Sequence, residues 1–158
     1  MKLKLKIITI ITILLMLTAC TEDEAFLVIT RDKEQVKISA DSIYNNLNAE
    51  SFPAVVRSSG EKPVETEYKG IELNVLLAQN NINAADFDKI TFNATDGYRT
   101  ILSIEELNDP KNVYLTFERD GELLKTKKAG GNGPFQLVIR RDPFSQRWVK
   151  HVNEIILE

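Results

Sequence analysis

Short β-rich runs separated by turn signals make up most of this chain, and they limit the folds that it can adopt. Most runs are about four to eight residues long and are bounded by Gly, Pro, Asn or Asp, a pattern typical of strands joined by tight turns. The predicted strands cover residues 26–30, 35–38, 52–57, 64–68, 88–94, 98–103, 113–117, 122–126, 135–139 and 148–157. So many closely spaced strands argue against a doubly wound parallel sheet with its long crossover helices.

Helical periodicity appears only in short stretches, at residues 40–47, 71–80 and 104–107. In the first stretch, Ile43, Tyr44 and Leu47 share one face of a helix. Ser103 and Glu106, three residues apart, predict a capping box at the start of the third. The sequence therefore predicts an α+β fold, with mostly short mixed or antiparallel strands and two or three short helices in one compact domain.

The first twenty residues have the pattern of a targeting segment. Three lysines precede an apolar run at residues 7–17, which is shorter than the roughly 20 residues that span a bilayer but suits a signal peptide. The run ends in LTAC at residues 17–20, which resembles the bacterial lipobox. In proteins with that signal, the cysteine thiol receives a diacylglyceryl group, and cleavage leaves this cysteine as the new N-terminus.

We therefore expect a lipoprotein signal peptide at residues 1–19, a lipidated Cys20 with an acidic tether at residues 20–25, and a domain at residues 26–158. The protein would be exported and lipid-anchored to a bacterial membrane, in the periplasm or on the outer face of the cell membrane. The alternative is an ordinary hydrophobic anchor with an incidental cysteine.

Charge and cysteine content exclude several classes of protein. The 20 Lys and Arg residues face 23 Asp and Glu residues, and losing the three leader lysines leaves 17 cations and a net charge of −6. A domain this acidic is not a nucleic-acid binder attracted by bulk charge. One cysteine and one histidine in the chain argue against a disulfide framework, a zinc site and an iron–sulfur cluster.

Four segments, in order along the chain, match the pattern of a known domain. They are YKGIELNVLL at residues 68–77, FNATDGYR at 92–99, GGNGPFQLVI at 130–139 and RWVKHVNEI at 147–155. They resemble an aromatic-x-Gly-x-x-Leu segment, an Ala-x-Asp-Gly-Tyr turn, a Gly-Gly-Pro loop and a closing strand, respectively. Together these segments resemble the molybdopterin-binding domain of sulfite-oxidase-like oxidoreductases, in its small stand-alone form.

That resemblance implies the sulfite-oxidase-like fold without its metal chemistry. Catalytic members hold molybdenum through a cysteine thiolate early in the domain, whereas the corresponding residues 52–60 contain no cysteine. Ala129 also stands where a histidine often precedes the glycine loop. As in small exported relatives, the resemblance implies a metal-free pterin as ligand, no molybdenum, and a membrane receptor as protein partner.

The DGYR turn supplies the first candidate ligand-binding residues. A carboxylate at Asp96 suits the N–H groups of a pterin edge, and the ring of Tyr98 suits stacking, with Arg99 beside it. The glycine loop supplies Gly130, Gly131, Asn132 and Gly133, whose successive N–H groups favour an anion-binding nest. A plain structural turn and a flexible hairpin loop are the respective alternatives.

The C-terminal region completes the candidate pocket. If residues 148–157 are one strand, Trp148 and Lys150 face the same side, where an indole beside a cation suits stacking and charge recognition. Arg147 lies next to them, and Arg57 falls near the metal position of the enzymes. The alternative makes Trp148 a core residue and the cations solvated surface residues.

These residues leave three functions open. The favoured one is a non-catalytic, pterin-type small-molecule binding lipoprotein that senses ligand for a membrane receptor. The second is a protein-interaction or scaffold lipoprotein whose pocket is degenerate. The third is a molybdopterin-dependent oxidoreductase.

Overall fold

The computed structural model describes residues 25–158. Within this range the chain forms ten strands in two sheets, with three short α-helices and three 3-10 turns at the connections. The expected signal peptide, Cys20 and most of the acidic tether lie outside the described residues. In the part that is described, no helix is long and apolar enough to cross a membrane.

The first sheet joins the two ends of the domain. It contains β1 (Phe26–Arg31), β2 (Glu34–Ser39), β5 (Lys89–Ala94), β6 (Arg99–Ser103) and β10 (Val152–Leu157). The strand order is β2-β1-β10-β5-β6, and only the β1–β10 pair is parallel. The last strand of the chain therefore lies at the centre of the sheet, between the first strand and the fifth.

The second sheet is antiparallel throughout. It contains β3 (Glu50–Val56), β4 (Val64–Glu72), β7 (Val113–Arg119), β8 (Glu122–Leu123) and β9 (Gln136–Ile139). The order is β3-β4-β7, and β7 then pairs with β9 near its start and with β8 near its end. The α+β class predicted from the sequence is thus confirmed.

Serine side chains cap the starts of two of the three helices. The helices are α1 (Ala40–Tyr44), α2 (Leu73–Gln79) and α3 (Ile104–Asn108), of which α1 and α3 are capped in this way. The predicted capping box of α3 is confirmed, because the Ser103 N–H donates to Glu106 Oε2 at 3.1 Å and the Glu106 N–H donates to Ser103 Oγ at 3.3 Å. Each of these two hydrogen bonds satisfies an N–H group that would otherwise lack a partner at the start of the helix.

Two expectations near the first two helices are wrong. Helix α1 ends at Tyr44, where the Asn45 side chain turns back to donate to the Asp41 carbonyl, so Leu47 lies beyond the helix and is fully exposed. The strand predicted over residues 64–68 does not end there, because β4 continues through Gly70 to Glu72 with a bulge. A Cβ atom at Gly70 would lie 2.4 Å from the Leu115 carbonyl oxygen, so glycine here permits close contact between strands.

Two predicted strands are shorter than expected. Strand β8 stops at Leu123, and the residues after it bond to the glycine loop, where Lys125 O accepts the Gly133 N–H. Strand β10 begins only at Val152, after a 3-10 turn at Ser145–Arg147. His151, immediately before β10, has a left-handed φ of 56°, so the extended conformation of β10 does not continue towards Trp148.

The Asp120–Gly121 turn between β7 and β8 gives a pH prediction. The Asp120 carboxylate accepts the Thr66 hydroxyl at 2.7 Å and the Glu67 N–H at 2.9 Å. The backbone bond from Glu67, and then the Thr66 hydroxyl, lower the pKa of Asp120 below its ordinary value of 3.8. A lowered pKa in the folded state stabilises the fold above pH 3.8, and this contribution is lost as the pH falls further.

We expect Asp120→Asn to lower the urea midpoint at pH 7, and we expect the difference from wild type to narrow as the pH falls from about 5 to below 3.8. Asn tolerates the left-handed backbone at this position, where φ is 53°. Asp32→Asn, in the left-handed turn between β1 and β2, is the matched control. A pH-independent difference between wild type and Asp120→Asn would contradict this role of the carboxylate.

Candidate functional site

The three segments that the sequence singled out are neighbours, and the backbone of His151 joins them. The His151 N–H donates to Asn132 O at 2.8 Å, and its carbonyl accepts the Thr95 N–H at 3.1 Å. Its imidazole Nδ1 lies 3.0 Å from Gly133 O, and the residue is 7% exposed. The DGYR turn, the glycine loop and the segment before β10 therefore lie side by side.

The polar groups of the DGYR turn bond within the chain. Asp96 Oδ1 accepts the Tyr98 N–H at 3.0 Å, and the Tyr98 hydroxyl donates to Gln146 O at 2.6 Å. Arg99 Nε donates to Asn93 Oδ1 at 2.8 Å. Asp96 and Arg99 remain exposed, and Tyr98 is 46% exposed. The hydrogen bond from the Tyr98 hydroxyl to Gln146 O fastens the turn to the loop that precedes Trp148.

The glycine loop also uses its N–H groups internally. Gly130 donates to Lys127 O, Gly131 donates to Thr126 O, and Gly133 donates to Lys125 O, at distances of 2.8–3.0 Å. A Cβ atom at Gly131 would lie 2.2 Å from Lys125 O. Gly131 and Gly133 therefore allow close packing against the chain after β8, and the N–H groups of all three glycines already have acceptors.

Arg147 and Trp148 are held by neighbours in the fold, whereas Lys150 is exposed. Arg147 donates to both oxygens of Asp142 and, at 2.8 Å, to Glu106 Oε1, and these hydrogen bonds, first to Asp142 and then to Glu106, raise the pKa of its guanidinium. Trp148 is 7% exposed, its indole N–H donates to Ile139 O at 3.0 Å, and its ring meets Tyr68 edge-on at 5.9 Å. Residues 148–151 are not a strand, so the predicted shared face does not form.

A pocket of about 390 Å³ lies against Trp148. Its lining residues are Pro53, Ala54, Val55, Arg57, Pro110, Lys111, Arg140, Arg141 and Trp148. Four of these nine residues are cationic and none is acidic, in a chain whose net charge is −3. We call it the basic pocket. Of the residues selected from the sequence, Arg57 and Trp148 line it.

Within the described part of the chain, three of the four cations in the basic pocket have no carboxylate partner. Arg141 forms an ion pair with Asp109. Within residues 25–158, no Asp or Glu oxygen lies within ion-pair distance of Arg57, Lys111 or Arg140. Unpaired cations gathered around a concave surface provide a binding site for an anionic group.

Neighbouring residues position the Arg140 side chain and the Lys111 backbone. Arg140 stacks over the Phe52 ring at 5.0 Å, and its Nη1 donates to Lys111 O at 3.2 Å. Lys111 has a left-handed φ of 55°, and its N–H donates to Glu72 Oε1 at 2.8 Å. A non-glycine residue held in this conformation is an outlier of the kind that clusters at binding sites.

A second, more open pocket of about 790 Å³ adjoins the basic pocket, with which it shares Pro110 and Arg141. Its remaining lining residues are Glu105, Glu106, Asn108, Asp109, Asn112, Asp142 and Arg147. We call it the acidic pocket. Arg147 and Arg141 already neutralise most of its carboxylates, so its wall is an ion-pair network.

Residues 52–60 do not fit a molybdenum centre. Phe52 is buried in the core, Ser58 and Ser59 are exposed, and the one cysteine of the chain is residue 20. Molybdenum in this fold calls for a soft thiolate ligand, which the segment lacks. In residues 25–158, no three His, Cys, Asp or Glu side chains are grouped to hold a metal ion.

No protein-family model and no curated protein matches the chain. Among solved structures, it is similar to the sulfane dehydrogenase SoxCD from Paracoccus pantotrophus, with a TM-score of 0.66 and 18% sequence identity. The fold is sulfite-oxidase-like. The match covers 84% of this chain but only 38% of the SoxCD chain, and at this identity the likeness concerns the fold alone.

Proposed function

We propose that residues 26–158 are a non-catalytic binding module, anchored outside the cytoplasm by lipid on Cys20, that holds a small anionic molecule in the basic pocket. A pterin-type ligand that carries a phosphate or carboxylate is the first candidate. In this proposal, ligand binding is sensed by a membrane receptor. The observation that carries it is the set of unpaired cations around the basic pocket.

The size and chemistry of the pocket support a small anion. About 390 Å³ is within the range of pockets that take small molecules and cofactors. The guanidinium groups of Arg57 and Arg140 suit paired hydrogen bonds to a phosphate or carboxylate, and Lys111 adds a compact charge. Because Phe52 and the Lys111 carbonyl hold Arg140, little side-chain freedom is lost when it binds.

The pterin assignment rests on the four sequence segments that resemble the molybdopterin-binding domain and on the sulfite-oxidase-like fold. The lack of a thiolate in residues 25–158 supports a ligand without metal. A metal-free pterin would need only shape, stacking and a few polar contacts, which a concave pocket supplies. No step of redox chemistry is assigned to these residues.

We expect Arg57→Ala to weaken binding of a phosphate-bearing pterin by about tenfold or more, because one charge-assisted contact is lost. The Arg57 side chain is exposed and its backbone pairs with Ser145, so the fold should tolerate this change. Titration calorimetry of the full chain in detergent measures the effect, with Lys62→Ala as a matched surface control. Equal affinities of Arg57→Ala and wild type would contradict a role for this pocket.

Native purification is the direct test of the ligand. The lipidated protein, isolated from its own host and then denatured, should release a molecule with pterin fluorescence. Mass spectrometry of the released fraction would identify its anionic group. Purified protein that contains no pterin and binds none on addition would overturn the pterin proposal.

A second candidate function is a protein-interaction lipoprotein with a degenerate pocket. It is favoured by the internal bonding of the glycine loop and by the burial of Trp148, since both occupy the place where the sequence predicted a ligand. In that case, neither native purification nor calorimetry would find a small molecule. Stoichiometric molybdenum by elemental analysis would instead support an oxidoreductase.

A further inference from the structure

The consecutive residues Arg140 and Arg141 both bond to the chain segment before β7, but only one of them meets a carboxylate. Arg140 Nη1 donates to Lys111 O at 3.2 Å, and Arg141 Nη2 donates to Pro110 O at 3.3 Å. Arg141 Nη1 also forms the ion pair with Asp109. In the part of the chain that the structure describes, Arg140 has no carboxylate within ion-pair distance. The fourth cation of the basic pocket therefore differs from the other three, because its charge is already matched.

The backbone at these two arginines is fixed, whereas the Arg141 side chain is open to solvent. The Arg140 N–H donates to Asn112 O at 2.8 Å, and the Arg141 N–H donates to Asn112 Oδ1 at 3.0 Å. Asn112 is buried, and its Nδ2 donates to Glu106 O at 3.1 Å. The Arg141 side chain itself is 61% exposed. Arg141 can therefore change its partner by side-chain rotation alone, without a movement of the backbone.

Arg141 stands at the boundary between the two pockets. Arg141 and Pro110 line both pockets, whereas Asp109 lines only the acidic pocket. The ion pair therefore holds the Arg141 charge at the acidic side of the boundary. The Asp109 side chain is 30% exposed, and an ion pair that is open to water contributes little stability. An anion bound in the basic pocket can thus compete with Asp109 for the guanidinium group.

The charge of the ligand decides whether this competition succeeds. The Coulomb attraction between Arg141 and a bound anion doubles when the anion carries two charges instead of one. The cost of leaving Asp109 is the same for both anions. Because Asp109 does not line the basic pocket, its repulsion of the ligand acts over a longer distance than the attraction from Arg141. A dianion therefore gains more from recruiting Arg141 than a monoanion does.

We infer that Arg141 is a specificity-determining residue of the basic pocket, whose charge is held by Asp109 until a dianion recruits it. The pocket then selects ligands with a phosphate monoester group over ligands with a single carboxylate or a phosphate diester. This inference rests on the proposed function, in which the basic pocket holds an anionic molecule. Arg57, Lys111 and Arg140 bind the anion in either case, and the change of partner by Arg141 adds the selectivity.

Two small phosphate esters test the selectivity, because they share a phosphoryl group and differ in charge. At about pH 8, methyl phosphate is a dianion, since the second pKa of a phosphate monoester is about 6, whereas dimethyl phosphate is a monoanion. Phosphorus NMR titrations of the full chain in detergent measure both affinities. We expect Arg141→Ala to weaken the binding of methyl phosphate by about tenfold and that of dimethyl phosphate by less than about twofold.

Asp109→Asn tests whether the carboxylate keeps Arg141 from the ligand. The substitution retains the shape of the side chain and removes its charge, so Arg141 becomes available to either ester. We expect both esters to bind about threefold more tightly, and Arg141→Ala in this background should weaken dimethyl phosphate by about threefold as well. Asp32→Asn is the matched control, because Asp32 lines neither pocket, and it should leave both affinities unchanged. Circular dichroism of each variant verifies that the fold is retained.

The outcomes separate this inference from the proposed function. If Arg57→Ala weakens the binding of methyl phosphate but Arg141→Ala does not, the basic pocket stands and the inference fails. The inference also fails if Asp109→Asn weakens binding, or if it leaves the effect of Arg141→Ala on dimethyl phosphate unchanged. Wild-type protein that binds neither ester overturns the anion-binding pocket and the inference together.

Discussion

Replacement of Trp148 by Ala should lower the free energy of unfolding by about 3–5 kcal/mol, the range for truncating a large buried aromatic residue. The indole is 7% exposed, packs edge-on against Tyr68 and donates its N–H to Ile139 O. Its removal would leave a cavity beside the basic pocket and would remove one of the two hydrogen bonds that the Ile139 carbonyl accepts, the other being from the Asp142 N–H. Urea unfolding of the full chain, followed by circular dichroism, measures the change.

Trp148→Phe separates packing from hydrogen bonding in this prediction. It keeps an aromatic ring but loses the bond to Ile139 O, and should cost about 1–2 kcal/mol. A loss below about 1 kcal/mol for Trp148→Ala would contradict a structural role. Combined with a large loss of ligand affinity, that result would restore the sequence-based interpretation of Trp148 as a stacking residue.

Gly131→Ala should also be strongly destabilising, by about 3 kcal/mol, because a methyl group there overlaps main chain. The added Cβ would lie 2.2 Å from Lys125 O. This oxygen belongs to the backbone, so it cannot move aside as the end of a flexible side chain could. The loop must shift, and the bonds from Gly131 to Thr126 O and from Gly133 to Lys125 O weaken with it. Thermal unfolding of the full chain would show the loss.

Gly130→Ala is the control within the same loop. Nothing lies within 4 Å of a Cβ atom there, and the residue has a φ of 75°. The cost should therefore be that of a left-handed alanine alone, about 1 kcal/mol. Equal effects of Gly130→Ala and Gly131→Ala would show that the loop is not packed as described.

Signals within a few neighbouring residues predicted much of the fold. Asp96–Gly97 was identified as part of a turn between strands, and Ser103 with Glu106 as a capping box. Such features depend on backbone angles and hydrogen bonds among residues close in sequence, so their residue types indicate them directly.

The basic pocket gave no such signal. Arg57, Lys111 and Arg140 follow β3, precede β7 and follow β9, respectively, and each is an ordinary surface cation when considered alone. Of the three, only Arg57 was selected, through its position in the resemblance. Their proximity depends on how the second sheet is assembled, which no spacing in the sequence shows.

Two residues that contact Arg147 and Trp148 could not be predicted from the sequence either, because they too lie far away along the chain. Arg147 is neutralised by Glu106, which belongs to α3, and Trp148 is buried by Tyr68 from β4 and by the end of β9. The sequence predicted one strand over residues 148–157, with Trp148 and Lys150 facing the same side. The left-handed His151 backbone, bonded to Asn132 and Thr95, keeps the strand from beginning before Val152.

The amino-acid order alone determined the α+β class, the turn at Asp96–Gly97, the starts of α1 and α3 and the lack of a thiol after residue 20, because each follows from neighbouring residues or from residue counts. Tertiary packing alone decided that β10 lies between β1 and β5, that Trp148 is buried, and that three unpaired cations surround one pocket. Burial and charge pairing depend on residues far apart in the chain, and only the assembled sheets bring those residues into contact.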